Sequence, residues 1–102
     1  MPLLMAKQEV FAWLKAGAKT IDVRKGCGRR GDIAVFQCGQ NHLRFCIVKR
    51  ETGKLTQLVR ADNYQQVVPS AENLQAALNY LQALYGGEAE FFTAYYLGEQ
   101  KV

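Results

Sequence analysis

Cysteine is scarce in this chain, and long apolar runs and secretion signals are missing. Three cysteines cannot all pair within one chain and are too few for a disulfide scaffold, so a reducing compartment is expected. No apolar run approaches the ~20 residues that cross a bilayer, and the N-terminal segment MPLLMAKQEVFAWLK lacks a signal peptide's basic start and uninterrupted apolar stretch. These absences predict a soluble, cytoplasmic protein with no membrane partner.

A metal-binding knuckle is also missing. Cys38, His42 and Cys46 recur at four-residue intervals, with Cys27 upstream, and this spacing invites a zinc site. However, no CxxC pair is present, and a hairpin turn predicted at residues 39–41 lies between these side chains. We therefore predict buried or half-buried thiols, no metal site and no cofactor.

The net charge of +4 conceals an uneven distribution of charge. Between Lys19 and Arg60 lie ten basic and three acidic residues, so this segment carries +7 and the rest of the chain −3. A localised positive field attracts phosphate-bearing partners, because Lys and Arg displace the counterions condensed on a polyanion. The alternative is an ordinary solvated surface on the outward face of a strand-rich segment.

The amino-terminal part reads as one helix followed by short strands. Apolar residues recur at helical spacing over Lys7 to Ala16, and Gly17 is placed to end that helix in a left-handed conformation. β-branched and aromatic residues then predict strands, and Leu55 to Val59 is either a short strand or a helical turn. The predicted strands are Thr20–Arg24, Ile33–Phe36 and Leu43–Lys49, with a charged loop at Lys25–Arg30 and a turn at Glu51–Lys54.

The carboxy-terminal part contains the clearest helix. Its apolar stripe runs from Ala71 to Tyr85, and Gly86-Gly87 stops it. Ser70 is the predicted N-cap, and Glu72 falls in the first turn, where the helix dipole favours a carboxylate. The final segment, residues 90–99, is apolar on both faces, which predicts a central strand.

The order of helix, strands, helix and strand predicts an α+β fold. The strands are short, joined by hairpin-like turns and not interleaved one-for-one with helices, which disfavours a doubly wound parallel sheet. At 102 residues, without repeats, linkers or low-complexity segments, the chain has the size of one domain. We predict a single domain over residues 1–102, a small, mostly antiparallel β-barrel flanked by two or more helices.

Polar and apolar residues alternate along the strand that follows the first helix. Ile21 and Val23 fall on one face, and Thr20, Asp22 and Arg24 fall on the other. If the first face packs in the core, the second lines a cleft. There, arginine offers a planar fork to phosphate, and aspartate accepts from an exocyclic amine. The alternative is a half-exposed strand with a local ion pair.

The segments GAKTIDVR, RRGD and IAVF together resemble the ASCH domain family. The family pattern is a helix ending in Gly-x-Lys-Thr, a strand with an acidic or hydroxyl residue and an arginine, and Gly-Asp before the next strand. A later helix and the aromatic final strand FFTAYYL extend the resemblance over nearly the whole chain. The matching residues are Gly17, Lys19, Thr20, Asp22, Arg24, Gly31 and Asp32.

This resemblance implies a PUA-like pseudo-barrel with a ligand cleft between barrel and helices. Members of the family are associated with RNA binding, so an RNA, a nucleotide or a nucleoside is the implied partner. The resemblance and the charge pattern together give the expected ligand-binding residues: Lys19, Thr20, Asp22, Arg24, and Arg29 and Arg30 in the basic loop.

Other members imply an alternative, a small hydrolase acting on acylated cytidine-type nucleosides or on RNA in the same cleft. In those amidohydrolases a desolvated lysine takes a proton from a hydroxyl residue, which attacks the acyl carbon, and a glutamate near the later helix assists. Lys19 matches the lysine and Glu72 is an offset match for the glutamate, but Asp22 occupies the hydroxyl's place. Asp22 would then act as a general base. A purely structural or regulatory partner of another protein is the third possibility.

Overall fold

The computed structural model describes residues 3–26, 28, 30–86 and 91–101, which form one sheet of five strands and four helices. The α+β class predicted from the sequence is confirmed. In chain order the elements are β1 (Leu3–Met5), α1 (Gln8–Ala16), β2 (Ile21–Lys25), β3 (Ile33–Cys38), β4 (Asn41–Gly53), α2 (Leu55–Leu58), α3 (Tyr64–Val67), α4 (Leu74–Tyr85) and β5 (Phe92–Lys101).

The sheet curls into a half-barrel that stays open. Its strand order is β1-β3-β4-β5-β2, so β1 and β2 are the outer strands and do not pair with each other within the described residues. β1 pairs with β3 in parallel, whereas the other pairings described are antiparallel, which confirms the mostly antiparallel prediction. The predicted barrel is therefore present only as an open, curled sheet.

Two irregularities in β4 accompany this curl. The pairing of β4 with β5 changes register between Phe45 and Ile47, and again between Ile47 and Lys49. Irregularities of this kind bend a strand and increase its twist.

β5 itself lies between β4 and β2, the central position predicted from its two apolar faces, although residue 90 at its predicted start lies outside the described residues.

β4 is longer than the sequence pattern predicts. The predicted turn at Glu51–Lys54 is wrong, because residues 51–53 continue the strand and pair with β5. Pairing with β5 supplies the backbone hydrogen bonds that a local turn would otherwise provide. Beyond the strand, the side-chain oxygen of Gln57 accepts from the Lys54 N–H at 2.9 Å. The next segment is therefore the helical turn α2 rather than a strand.

Two apolar clusters form the core. One joins β2 and β5 to α2, α3 and α4, and there Val23, Val67 and Ala77 are almost fully buried. The other joins α1 to β1, β3 and β4, where the rings of Phe36 and Phe45 pack edge to face with centroids 5.9 Å apart. α1 and α4 thus pack on different parts of the sheet, and a cavity lies between them.

The first helix ends as predicted. α1 begins at Gln8, one residue later than expected, and Gly17 follows it with a φ of 78°. The Gly17 N–H donates to the Leu14 carbonyl at 3.2 Å. Glycine adopts this left-handed conformation without strain, so the chain reverses here and leads directly into Lys19 and β2.

The last long helix begins later than predicted. α4 starts at Leu74, and its N-cap is Asn73, whose side-chain oxygen accepts from the Ala76 N–H at 2.8 Å. The predictions of Ser70 as N-cap and of Glu72 in the first turn are therefore wrong. Asparagine is as good an N-cap as serine, and here it lies closer to the apolar stripe. Glu72 precedes the helix and is exposed.

Two short elements were not predicted from the sequence. β1 and α3 contain three and four residues, too few to produce a recognisable periodicity. Gly86 follows α4 as predicted, whereas Cys27, Arg29 and Gly87 lie outside the described residues. In the described part of the chain, every helix is too short or too polar to cross a bilayer.

Candidate functional site

A cavity of about 320 Å³ opens between the two outer strands of the half-barrel. Its wall is built from β1, α1, β2 and α4 and from the short connections that follow β1 and α1. Most of the lining is aliphatic or aromatic and comes from the helices. The charged residues that line it are Lys7, Lys19, Asp22 and Arg24.

Lys19 extends its ammonium group into the protein. The Lys19 side chain is only 6% exposed, and its Nζ donates to the carbonyl oxygens of Ile21 at 2.9 Å and of Val67 at 2.5 Å. Burial lowers the pKa of Lys19 to about 8, while the neighbouring Asp22 opposes this shift and Arg24 adds to it. Lys19 is therefore largely protonated at neutral pH but loses its proton more easily than an exposed lysine.

Asp22 lies between two cations. Its Oδ2 accepts from Arg24 Nε at 2.6 Å, and its Oδ1 lies 4.0 Å from Lys19 Nζ. Residues two apart on a strand project from the same face, which explains the Asp22–Arg24 pair. The Asp22 side chain is 4% exposed and that of Arg24 23%. A local ion pair is therefore present, but it is mostly buried at the cavity wall rather than half-exposed on an open strand.

Three aromatic side chains complete the wall. The rings of Trp13 on α1 and Tyr80 on α4 lie with centroids 6.0 Å apart, and the Tyr80 hydroxyl donates to Glu9 Oε1 at 2.9 Å. Burial, followed by the hydrogen bond to Glu9, raises the pKa of Tyr80 to about 12. The pKa of Tyr85 also rises to about 12, through burial and then the charge of Asp22. Both phenols are therefore neutral hydrogen-bond donors at physiological pH.

Side chains occupy the open edge of β2. The carbonyl oxygens of Ile21 and Val23 accept from Lys19 Nζ and from the Tyr85 hydroxyl, at 2.9 and 2.8 Å. A further strand added beside β2 would have to bond to these two carbonyls, because an edge strand pairs through its unpaired backbone groups. Lys19 and Tyr85 thus hold positions that a closing strand would take. No buried side-chain nitrogen or oxygen of the described residues lacks a hydrogen-bond partner, so this polar cluster is internally satisfied.

The structure brings together three residues that the sequence placed at the cleft. Lys19, Asp22 and Arg24 line the same cavity. Thr20 does not join them among the described lining residues, because it precedes β2 and its side chain is exposed. Its backbone is engaged instead, with its N–H donating to the Gln66 carbonyl at 3.0 Å.

The remaining predicted residues lie outside the cavity or outside the described residues. Arg30 and Glu72 are exposed, and neither is among the described residues that line the cavity. Arg29 lies outside the described residues. For Glu72 the reason is the late start of α4, which leaves this carboxylate in the preceding connection rather than on the helix.

Sequence reasoning did not assign Trp13 and Tyr80 to the site. Each lies on an amphipathic helix, where an aromatic side chain at the edge of the apolar stripe reads as core. Only the approach of α1 to α4 places the two rings together. Their residue types could have indicated a site, since tryptophan and tyrosine combine an apolar ring with a polar group. Such side chains are suited to cavity walls that are partly exposed to solvent.

The spaced cysteines and histidine do not converge. Cys38 pairs with Asn41 at one end of the hairpin, whereas Cys46 pairs with Ile33, five residues along β3 from Cys38 and thus about 16 Å away. Both thiols are free and half-buried, and His42 is exposed. Within the described residues, no group of three or more His, Cys, Asp or Glu side chains is arranged to hold a metal ion.

A second ionic cluster lies outside the cavity. The Tyr96 hydroxyl donates to Glu51 Oε1 at 2.6 Å, and Arg60 and Lys49 approach the same carboxylate at 3.9 and 3.7 Å. The hydrogen bond from Tyr96, opposed by burial and supported by the two cations, lowers the pKa of Glu51. The side chains of Lys49 and Arg60 are 60% and 42% exposed, so water surrounds this cluster.

Comparisons with known proteins bear on the fold. The chain is similar to the crystal structure of hypothetical protein PH0355, with a TM-score of 0.79 and 19% sequence identity, over 99% of this chain and 100% of that one. The sequence matches no protein-family model and no curated protein. At this identity the likeness concerns fold alone: the chain is a small α+β protein with an open, curled sheet and several helices.

Proposed function

We propose that this protein is an ASCH-type, PUA-like domain that binds RNA or a nucleotide in the cavity between α1, α4 and β2. One observation carries the proposal: Lys19, Asp22 and Arg24 line a single cavity whose other walls are mostly apolar and aromatic. Small-molecule sites have this composition, with a few polar groups that fix orientation inside an apolar pocket.

The lining residues offer the contacts that a nucleobase needs. Trp13 and Tyr80 supply aromatic surface against which a base ring can stack. Asp22 uses one oxygen for Arg24, yet a carboxylate has about four acceptor positions and can also accept from an exocyclic amine. A volume of about 320 Å³ is at the lower end of ligand pockets, which suits one nucleoside rather than several.

The charge distribution supports an anionic partner. The segment from Lys19 to Arg60 carries +7, and β2 at the cavity wall lies within it. A surplus of cations on a small domain raises the local concentration of phosphate-bearing ligands before any specific contact forms. Binding to single-stranded RNA should therefore weaken as salt rises, with a logarithmic slope of about −0.7 per neutralised phosphate.

Tryptophan fluorescence gives a direct test. Trp13 is the sole tryptophan of the sequence and lines the cavity, so its emission reports cavity occupancy. Titration with the four ribonucleosides, their monophosphates and a short single-stranded RNA should give a saturable change with at least one of them. Asp22→Asn, which keeps the side-chain shape but removes the charge, should weaken that binding about tenfold or more.

The matched control is Arg44→Ala. Arg44 is exposed on β4 and does not line the cavity, so the variant loses one positive charge without altering the site. Its binding should stay within about twofold of the unaltered protein. If no nucleoside, nucleotide or RNA changes Trp13 emission or gives a calorimetric signal, the proposed function is wrong.

The hydrolase is the second candidate, and one feature of the site favours it. Burial lowers the pKa of Lys19 to about 8, so this amine is closer to a base than an ordinary lysine is. Against it, Glu72 is exposed and does not belong to the described cavity wall. Turnover of acylated cytidine or RNA that Lys19→Ala abolishes, with substrate binding retained, would favour the hydrolase over a binding module.

A further inference from the structure

A smaller cavity adjoins the larger one. It has a volume of about 250 Å³ and shares Met5, Arg24 and Tyr85 with the first. Lys25, the residue after Arg24 on β2, lines the smaller cavity only. The two cavities are therefore neighbouring parts of one cleft along the open edge of the half-barrel, with Arg24 and Tyr85 at their junction.

Positive charge exceeds negative charge along this cleft. Among the described residues that line either cavity, Asp22 is the carboxylate, and its charge is opposed by four cations. These cations are Lys7, Lys19, Arg24 and Lys25. A neutral nucleoside would leave this surplus without a partner, whereas a ligand that carries a phosphate would compensate it.

Arg24 retains donors for such a group. Asp22 accepts from its Nε at 2.6 Å, and that bond uses one of the five N–H donors of a guanidinium. The pair with Asp22 also fixes the plane of the Arg24 fork beside the smaller cavity. A planar guanidinium that is already oriented is suited to a two-point contact with phosphate oxygens, and the exposed Lys25 adds a mobile point charge next to it.

We propose that the cleft binds a single nucleotide, with its nucleoside portion in the larger cavity and its phosphate in the smaller one between Arg24 and Lys25. This inference rests on the proposed function and narrows it, because it names a nucleoside monophosphate rather than a nucleoside or an internal stretch of RNA. Trp13 and Tyr80 contact the base, Asp22 orients it, and the phosphate bridges the two cations that follow Val23.

The experiment compares a nucleoside with its monophosphates and with free phosphate. The nucleoside that changes Trp13 emission most is titrated beside its 5′-monophosphate, its 3′-monophosphate and inorganic phosphate, by fluorescence and by calorimetry. One of the monophosphates should bind about tenfold or more tightly than the nucleoside, because a charge-assisted phosphate contact is added. Inorganic phosphate alone should bind weakly and should not quench Trp13.

Lys25→Ala locates the phosphate. Lys25 is exposed, so its truncation leaves the fold intact, and it is absent from the described wall of the larger cavity. The variant should lose most of the preference for the monophosphate while nucleoside affinity stays within about twofold. Arg44→Ala removes a charge of the same sign elsewhere and should preserve the preference.

Four results would overturn the inference. Equal affinities for nucleoside and both monophosphates would leave a nucleoside site without a phosphate subsite. An unchanged preference in Lys25→Ala would place the phosphate away from Lys25. Binding of RNA oligomers but of no mononucleotide would retain the proposed RNA-binding function and exclude the single-nucleotide ligand. Absence of binding by every ligand would remove the proposed function itself, so the two failures are distinguishable.

Discussion

The cavity cluster and the surface cluster of this protein share one arrangement of charges but have different surroundings. Each holds one carboxylate between a lysine and an arginine: Asp22 between Lys19 and Arg24, and Glu51 between Lys49 and Arg60. In the first cluster the lysine and the carboxylate are almost fully buried, whereas the side chains of Lys49, Glu51 and Arg60 in the second are 29% to 60% exposed.

Burial decides what each cluster does. Water screens the charges around Glu51, so those ion pairs contribute little and their geometry is easily exchanged. Around Asp22 the charges are removed from water, and each one depends on its partners to offset the loss of hydration. The cavity cluster is therefore rigid and sensitive to change, which is the condition for presenting oriented polar groups to a ligand.

The largest expected difference concerns the two carboxylates. Asp22→Ala leaves the buried Lys19 without its counter-charge and should lower the free energy of unfolding by about 3 to 5 kcal/mol. Glu51→Ala breaks solvent-exposed pairs and should lower it by less than about 1 kcal/mol. Urea denaturation of both variants measures the two losses. Losses of similar size would contradict the contrast between the clusters.

A smaller effect concerns pH. The pKa of Lys19 falls from an ordinary 10.5 to about 8 on folding, so the unfolded chain binds more protons between those values and stability rises with pH. The contribution of Lys19 to this gain from pH 8 to pH 10 should be about 2 kcal/mol, and Tyr80 and Tyr85 offset part of it. Above pH 10 the trend reverses, because Tyr80 and Tyr85, with pKa values raised to about 12, hold their protons longer in the folded state.

Two lysine variants separate the contribution of Lys19 to the pH dependence of stability from that of the other titratable groups. Lys19→Met retains an unbranched side chain, shorter by one atom, but has no ammonium group, so stability should no longer rise between pH 8 and pH 10. Lys49→Met removes the exposed counterpart and should leave the rise in place. Equilibrium denaturation at a series of pH values gives both curves, and a rise that persists in Lys19→Met would assign it to another group.

The smallest expected difference concerns two tyrosine hydroxyls. Tyr85→Phe leaves the Val23 carbonyl at the edge of β2 without its donor and should lower the free energy of unfolding by about 1 to 2 kcal/mol. Tyr96→Phe removes the hydrogen bond to Glu51, which water replaces, so its effect should be about 0.5 kcal/mol or less. Thermal unfolding of the pair orders the two effects. A larger loss in Tyr96→Phe would show that the surface cluster is not screened.

Local chemistry was sufficient for several features. The Gly17 helix end, the hairpin between β3 and β4 and the central position of β5 follow from residue type and periodicity, and the structure confirms them. Prediction failed where a partner distant in the sequence, or a second N-cap candidate nearby, was favoured over the expected local structure. Residues 51–53 joined β5 instead of turning, and Asn73 rather than Ser70 began α4.

The site residues likewise divide into those that a local pattern predicts and those that it does not. Alternation along β2 placed Asp22 and Arg24 on one face, which depends only on the two-residue period of a strand. It also placed Thr20 there, but that residue precedes the strand and is exposed. Glu72 was assigned to a helix that begins after it. Trp13 and Tyr80 are 67 positions apart, and no short-range pattern joins them.

The amino-acid sequence by itself determined the α+β class, the two-sided first long strand and the row of charged residues on it, because these depend on composition and on the geometry of a single strand. Tertiary structure alone decided that the sheet stays open, that Lys19 is buried with a lowered pKa, and that aromatic side chains from two helices face the Asp22–Arg24 pair. The physical reason is that burial and enclosure are properties of packed elements. The pKa and the interactions of a charged group here depend on the neighbours that exclude water, and those neighbours come from remote parts of the chain.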